Sequence, residues 1–186
     1  MSTRGAICFV IDGQEKVVYN QADSYPDGLG EDIAAWLRAA VSSEAETADA
    51  VRRLAAVSGE PTDEDRVRLA AFRDPRVNQG EGWYSLLRQT QGDPAAILAA
   101  GVYESAEGFP LDSLFCEWAY VVDFDDRRLE VYEGYQRTPI TRGRWADRSA
   151  CRDGYYPVQA VASWPFDELP AARELARRVD LMQADG

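Results

Sequence analysis

Histidine is absent from this sequence of 186 residues, and the absence removes whole classes of chemistry. Without an imidazole, the chain cannot form a Ser-His-Asp or Cys-His catalytic relay. It also has no histidine ligand for zinc or iron, and no histidine that could act as a switch near neutral pH. We therefore expect no catalytic residue of these kinds, no metal site and no cofactor.

Cysteine is scarce as well, with three residues, Cys8, Cys116 and Cys151, spread along the chain. Their odd number and wide spacing argue against a disulfide framework and against a structural zinc site. A cysteine inside an apolar segment usually behaves as a small buried hydrophobe. We expect Cys8 and Cys116 to be buried thiols and Cys151, which lies among polar residues, to be exposed.

Long hydrophobic runs are missing too. No apolar run approaches the roughly 18–20 residues that a membrane span needs. The apolar segment 6–11 is shorter than a signal-peptide core, and no small-residue cleavage site follows it. We expect a soluble, cytoplasmic protein that does not contact a membrane.

Positive charge is in the minority: 20 basic residues stand against 32 acidic residues, a net charge of −12. A surface this acidic repels nucleic acid over most of its area, so we do not expect a nucleic-acid partner. An acidic globule can instead bind the basic surface of another protein. The charge balance therefore favours a protein partner.

The apolar pattern predicts strands in three places and helices between them. Residues 6–11 and 16–20 flank the turn dipeptide Asp12-Gly13, which is typical of a β-hairpin. Residues 115–124 and 129–135 form a second hairpin pattern, and 156–164 a fifth strand. Residues 31–101 are mainly helical in pattern, with capping signals at Ser43, Thr62 and Asp93-Pro94, and residues 171–182 predict a closing helix.

These patterns predict one α+β domain over residues 1–186. We expect an antiparallel sheet of about five strands, made of two hairpins plus one strand and covered by helices, with residues 31–101 inserted between the second and third strands. At the second hairpin turn, Asp123, Asp125 and Asp126 lack the glycine and distal glutamate of a calcium loop, so they do not indicate a metal site.

One loop and one segment carry the clearest motifs. The chain opens with Thr3-Arg4-Gly5, and residues 19–30 follow the pattern Y-x-x-x-D-x-Y-P-x-G-x-G. Together with residues 117–123 and 129–132, these motifs resemble a group of small phage, plasmid and bacterial proteins. The resemblance implies an origin in mobile elements and brings no established activity.

The same N-terminal residues form the first candidate site. The hairpin returns its second strand beside its first, which places residues 19 and 20 next to residue 4. An arginine–aspartate pair beside a loop shaped by proline and glycine either clamps a ligand or pins the loop to the sheet, and both roles stay open. We expect Arg4 and Asp23 to pair. The candidate residues are Arg4, Tyr19, Asn20, Asp23 and Tyr25.

A catalytic version of this site needs no histidine. In hydrolases with an N-terminal nucleophile, a first-residue Ser, Thr or Cys attacks and its own α-amine acts as base. Ser2 would become that residue if Met1 were removed, and the layout is faintly similar to the bile-salt hydrolase branch of that class. About five strands are few for its four-layer fold.

The second candidate site is an arginine-rich segment. Residues 137–152 hold five arginines and one acid, Asp147, a local net charge of +4 in an acidic chain. Guanidinium groups suit phosphates and carboxylates, and an indole can stack on a base. The same arginines can instead neutralise the protein's own acidic groups. The candidate residues are Arg137, Arg142, Arg144, Trp145 and Arg148, and Arg152 is the fifth arginine of the segment.

The sequence thus favours a non-enzymatic, acidic accessory protein of phage or mobile-element type that binds a protein partner. The alternative is a small-ligand-binding protein or an N-terminal-nucleophile amidohydrolase centred on the first strand and the 19–30 loop. A deep pocket lined by Arg4, Asn20, Asp23 and Tyr25 would favour the alternative. A flat surface there would favour the protein partner.

Overall fold

The computed structural model describes residues 3–74, 76, 82–148 and 153–184. Ser2, Cys151 and Arg152 lie outside the described residues. The elements, in chain order, are β1 (Gly5–Ile11), β2 (Gln14–Asn20), α1 (Glu31–Ala40), α2 (Glu44–Arg53), β3 (Ala55–Ala56), α3 (Asp63–Arg68), α4 (Trp83–Leu86), α5 (Pro94–Ala100), β4 (Val102–Tyr103), β5 (Trp118–Asp123), β6 (Arg128–Glu133), β7 (Gln159–Pro165) and α6 (Leu175–Ala184).

The main sheet contains five strands within the described part of the chain, in the order β2-β1-β5-β6-β7. Strand β1 pairs antiparallel with β2 and parallel with β5. Strands β5, β6 and β7 follow one another antiparallel. The predicted α+β class is therefore confirmed, and so is the expectation that both hairpins and the fifth strand share one sheet. The parallel junction between β1 and β5 makes the sheet mixed rather than purely antiparallel.

The turns of the two hairpins are tied to each other at one end of the sheet. Asp12 and Gly13 both have positive φ, 52° and 72°, as a tight two-residue hairpin turn requires. Both of their N–H groups donate to the Asp125 carboxylate at 2.8 Å. The Asp123 carboxylate accepts from the N–H groups of Asp125 and Asp126. These acids therefore order the turns, and the described residues contain no group of three that could hold a metal ion.

The two faces of the sheet are covered differently. Because strand side chains alternate between faces, Ile7 and Phe9 enter a core built with α1, α2, α5 and α6. Cys8 and its neighbours on the other face pack under largely irregular segments, residues 104–117, 134–148 and 153–158. Within the described residues, α-helices thus cover one face only, whereas the sequence predicted a helical cover in general. Cys8 and Cys116 are buried thiols, as predicted.

The inserted region is helical but less continuous than its sequence pattern. The predicted capping signal at Ser43 makes no side-chain cap, whereas Thr62 forms a full capping box with Asp65. Asp93 caps α5 through the N–H of Ala96, as predicted. Strands β3 and β4 pair in parallel as a second sheet of two strands. Each strand has only two residues, which is too short to produce a strand pattern in the sequence. None of the described helices is long and apolar enough to cross a membrane.

Candidate functional site

The 19–30 loop is anchored to the sheet by a buried serine. The Ser24 N–H donates to the Thr3 carbonyl at 3.2 Å, and the Ser24 hydroxyl accepts from the Asn20 amide at 2.8 Å. The Tyr120 hydroxyl donates to the Ser24 carbonyl at 2.9 Å. Because buried polar groups are costly without partners, these three bonds fix the loop position.

Arg4 and Asp23, which were expected to pair, do not meet. The Arg4 guanidinium lies over the Phe115 ring, 4.7 Å from its centroid. The exposed Asp23 carboxylate lies beside Gly28. Burial raises the pKa of Asp32 in α1, and the negative charge of Asp23 raises it further. Strand alternation explains the separation. Arg4 is in register with Ala6 and Cys8 on one face of the sheet, whereas the 19–30 loop packs on the opposite face through Leu29. The loop is pinned by Asn20 and Ser24 instead.

A cavity of about 650 Å³ opens at the end of the sheet where β1 and β5 begin and β2 and β6 end. We call this cavity the tyrosine cleft. Four of its lining residues are aromatic and three are charged. Its lining residues are Thr3, Arg4, Tyr19, Gln21, Tyr25, Glu117, Trp118, Glu133 and Tyr135.

Two of the four aromatic residues of the tyrosine cleft, and one aromatic residue beside it, are more exposed than large side chains usually are. Tyr25 is 48% exposed and Tyr135 is 55% exposed, and Phe115 beneath Arg4 is 36% exposed. Soluble proteins rarely gather large apolar side chains at the surface unless another molecule covers them. The rim of the tyrosine cleft is therefore a surface suited to binding.

Tyr135 is held at the rim by an unusual backbone. Its φ is +57°, a left-handed conformation that is uncommon for a bulky residue. Gly134 before it packs so closely on the Cys116 carbonyl that a Cβ would lie within 2.1 Å of that oxygen. The Tyr135 N–H donates to the Ser113 carbonyl at 2.8 Å. Strained backbone of this kind is concentrated at functional sites.

Two carboxylates and one guanidinium line the tyrosine cleft. The Glu117 carboxylate accepts from the Arg4 backbone N–H at 3.3 Å. The Glu133 carboxylate accepts from the Gln183 amide at 2.7 Å. Burial raises the pKa of Glu133, and burial together with Glu117 raises the pKa of Tyr135. Both carboxylates thus receive neutral donors rather than a cation.

The sequence-predicted residues divide between the cleft and the loop anchor. Arg4, Tyr19 and Tyr25 line the tyrosine cleft, whereas Asn20 is buried in the anchor and Asp23 faces away. The sequence pattern missed Glu117, Trp118, Glu133 and Tyr135 as site residues. Glu117 and Trp118 lie in the segment that carries the phage-like resemblance, but the position of Tyr135 depends on a contact that no local motif reveals.

No protein family, no curated protein sequence and no solved structure matches this chain. Similarity therefore assigns no function to the tyrosine cleft or to the arginine-rich segment.

Arg144, in the arginine-rich segment, points into the protein. Its guanidinium donates to Asp123 at 2.6 Å and to Glu130 at 3.1 Å, and reaches Glu15 at 3.5 Å. Burial lowers the pKa of Arg144, but the charges and hydrogen bonds of these acids outweigh it and hold that pKa above its ordinary value. The Arg144 N–H also donates to the Tyr132 hydroxyl. Arg144 is therefore a structural anchor.

Trp145 and the remaining arginines do not form a binding face with Arg144. Trp145 is fully buried against Tyr132, with ring centroids 4.7 Å apart, so it cannot stack on a base. Arg148 pairs with Glu15 at 3.5 Å, and Arg137 lies over the ring of Tyr155. Arg142 is exposed. Arg144 and Arg148 thus pair with the protein's own acids, as the self-neutralising interpretation expects, and Arg152 lies outside the described residues.

Proposed function

We propose that this chain is a binding protein without catalytic chemistry of its own, and that it takes a segment of a partner protein in the tyrosine cleft. The observation that carries the proposal is the pair of half-exposed tyrosines, Tyr25 and Tyr135, at the rim of a cavity of about 650 Å³. Tyrosine is enriched among the residues that dominate binding energy at protein interfaces, because its ring supplies a large contact area with a polar tip.

The groups that line the tyrosine cleft are of the two kinds that a bound segment needs, apolar surface for contact and polar groups for orientation. The rings of Tyr19, Tyr25 and Trp118 offer apolar surface, and Glu117 and Glu133 offer hydrogen-bond acceptors. The cavity is partly open to solvent, as a site for a segment of another protein requires. A few polar groups placed among aromatic walls are typical of binding pockets.

Overall charge supports a protein partner with a basic surface. The net charge of −12 attracts cationic surfaces over long range and raises the rate of encounter. The resemblance of the opening T-R-G and of the 19–30 loop to phage and plasmid proteins supports a role as an accessory protein of a mobile element. Buried free thiols at Cys8 and Cys116 are consistent with action in the cytoplasm.

A small-molecule ligand is the second candidate. The cavity meets the condition for it in part, since Arg4 and Tyr25 line the cavity whereas Asn20 and Asp23 do not. About 650 Å³ lies within the range of roughly 300–1,000 Å³ that is usual for small-ligand sites. The N-terminal-nucleophile alternative depends on Ser2, outside the described residues. The described residues form one main sheet with helices on one face rather than the four layers of that class.

Affinity capture from a lysate of the source cell tests the proposal. The wild-type chain is compared with Tyr25→Ala/Tyr135→Ala, which removes the aromatic rim, and with Arg142→Gln, an exposed control. We expect a protein retained by the wild type and the control and lost by the rim variant, with all three chains equally folded by circular dichroism. Capture of the same proteins by all three chains, or of none at low salt, would count against the proposal.

A further inference from the structure

We infer that the group received by the tyrosine cleft is a cation, the side chain of an arginine or lysine on the partner; this inference rests on the proposed function. Aromatic ring faces attract cations through the quadrupole of the ring. Four of the nine lining residues, Tyr19, Tyr25, Trp118 and Tyr135, supply such rings. The class of ligand is therefore an ammonium or guanidinium group carried on an exposed segment.

The carboxylates of the tyrosine cleft point to the same ligand. Glu117 and Glu133 make no ion pair with any arginine or lysine of the described chain. Their bonded donors are neutral: the Arg4 N–H and the Tyr135 hydroxyl for Glu117, and the Gln183 amide for Glu133. Glu15, Asp123 and Glu130 on the other side of the sheet, by contrast, all surround Arg144. A half-buried carboxylate without a cation is unfavourable, and an incoming cation relieves that cost.

Arg4 is the one cation among the lining residues, and it opposes the proposed ligand. Its guanidinium is stacked over Phe115 rather than paired with Glu117 or Glu133. Two carboxylates against one guanidinium leave the lining negative, inside a chain whose net charge is also negative. The charge balance favours a cation. Because Arg4 repels a cation, removal of its charge should strengthen binding, whereas removal of a carboxylate should weaken binding.

Three small probes separate the possible ligands. They are the arginine derivative N-acetyl-arginine-N-methylamide, its citrulline counterpart, which has nearly the same shape without the charge, and the corresponding aspartate derivative, which carries a negative charge. Each is titrated at low salt into the ¹⁵N-labelled full chain, and amide shifts around Gly134 and Tyr135 report on the cleft. We expect the arginine probe to bind roughly fivefold more tightly than the citrulline probe.

Charge-removing variants then assign the effect to the tyrosine cleft. Glu117→Gln and Glu133→Gln should each weaken the arginine probe roughly threefold to tenfold, whereas Arg4→Gln should strengthen it. Glu60→Gln, an exposed carboxylate in the inserted region, is the matched control and should leave the affinity unchanged. Thermal unfolding of each variant checks that the fold is intact.

Several results would overturn the inference. They are equal binding of the arginine and citrulline probes, no shift at the cleft at tens of millimolar probe, or binding of the aspartate probe that Arg4→Gln abolishes. If the rim variant Tyr25→Ala/Tyr135→Ala still loses the captured partner, the cleft remains the binding site and only the cationic ligand is wrong. If that variant keeps the partner, the proposed function fails as well.

Discussion

The Arg144 guanidinium lies 2.6 Å from the Asp123 carboxylate, and this bond fastens an irregular segment to the end of the middle strand of the sheet. The Arg144 side chain is 17% exposed and the Asp123 side chain 4% exposed. Replacing Arg144 by glutamine leaves Asp123, Glu130 and Glu15 without their cation in a poorly solvated place. We expect Arg144→Gln to lower the free energy of unfolding by about 3 kcal/mol, measured by urea denaturation.

Arg142→Gln is the control for this prediction. Arg142 is two residues away on the same segment, but it is exposed. We expect its substitution to change the free energy of unfolding by less than about 0.5 kcal/mol. Equal losses in both variants would mean that the segment responds to net charge rather than to the buried contact.

Lys16, the one lysine of the sequence, closes the end of α2. Its Nζ donates to the carbonyls of Val51, Arg52 and Leu54 at 2.8, 3.0 and 2.6 Å. These carbonyls lack helical partners at a C-terminus, so the ammonium satisfies them. We expect Lys16→Met to lower the free energy of unfolding by about 2–3 kcal/mol, and Arg53→Met on the exposed side of the same turn to have little effect. A thermal unfolding series distinguishes the two.

The anchor of the 19–30 loop predicts different effects on stability for substitutions at two neighbouring residues, Ser24 and Asp23. Ser24→Ala removes the hydroxyl that accepts from Asn20, and we expect a loss of about 1–2 kcal/mol in the free energy of unfolding. Asp23→Asn should be nearly neutral, because Asp23 is exposed and its φ of +56° suits asparagine equally well. A large loss of unfolding free energy in Asp23→Asn would instead support the ion pair with Arg4 that the sequence predicted. Urea denaturation of both variants measures the difference.

Stability should fall at alkaline pH because of the two buried thiols. Burial raises the pKa of Cys8 and of Cys116 far above the ordinary value of about 8.5. Above that pH the unfolded chain releases these protons while the folded chain keeps them, so the free energy of unfolding decreases as pH rises. The slope for each thiol is about half of 1.4 kcal/mol per pH unit near pH 8.5 and approaches about 1.4 kcal/mol per pH unit at higher pH.

The slope between about pH 8 and 9, where few tyrosines ionise in the unfolded chain, is the quantity to compare. The double variant Cys8→Ala/Cys116→Ala should have a flatter profile in this range, whatever its absolute stability. The measurement is a set of urea denaturation curves at closely spaced pH values. An unchanged slope in the double variant would assign the alkaline loss to other groups.

Local signals in the sequence were enough to predict the hairpins and some caps. Asp12-Gly13 specifies its turn through backbone preferences of adjacent residues, and Asp93-Pro94 starts α5 in the same way. The parallel pairing of β1 with β5 depends on how the inserted region brings Gly5 beside Trp118, more than a hundred residues away. No local preference encodes that contact.

The candidate site was predictable only in part, for the same reason. Arg4, Tyr19 and Tyr25 belong to one hairpin and its loop, so their proximity follows from the turn. Tyr135 reaches the tyrosine cleft because Gly134 packs on the Cys116 carbonyl, a contact between separate loops. Arg144 looked like part of a charged surface because its acidic partners come from three different strands.

Binding of the captured partner to matched variants tests the central claim most directly. Dissociation constants are measured by isothermal titration calorimetry for the wild type, for Tyr25→Ala/Tyr135→Ala and for Arg137→Gln/Arg142→Gln. We predict that the rim variant binds at least about tenfold more weakly, since aromatic hot-spot residues typically contribute 2 kcal/mol or more, and that the arginine variant binds like the wild type. A partner that binds the rim variant normally and the arginine variant weakly would contradict the account, because it would place the interface on the arginine-rich segment.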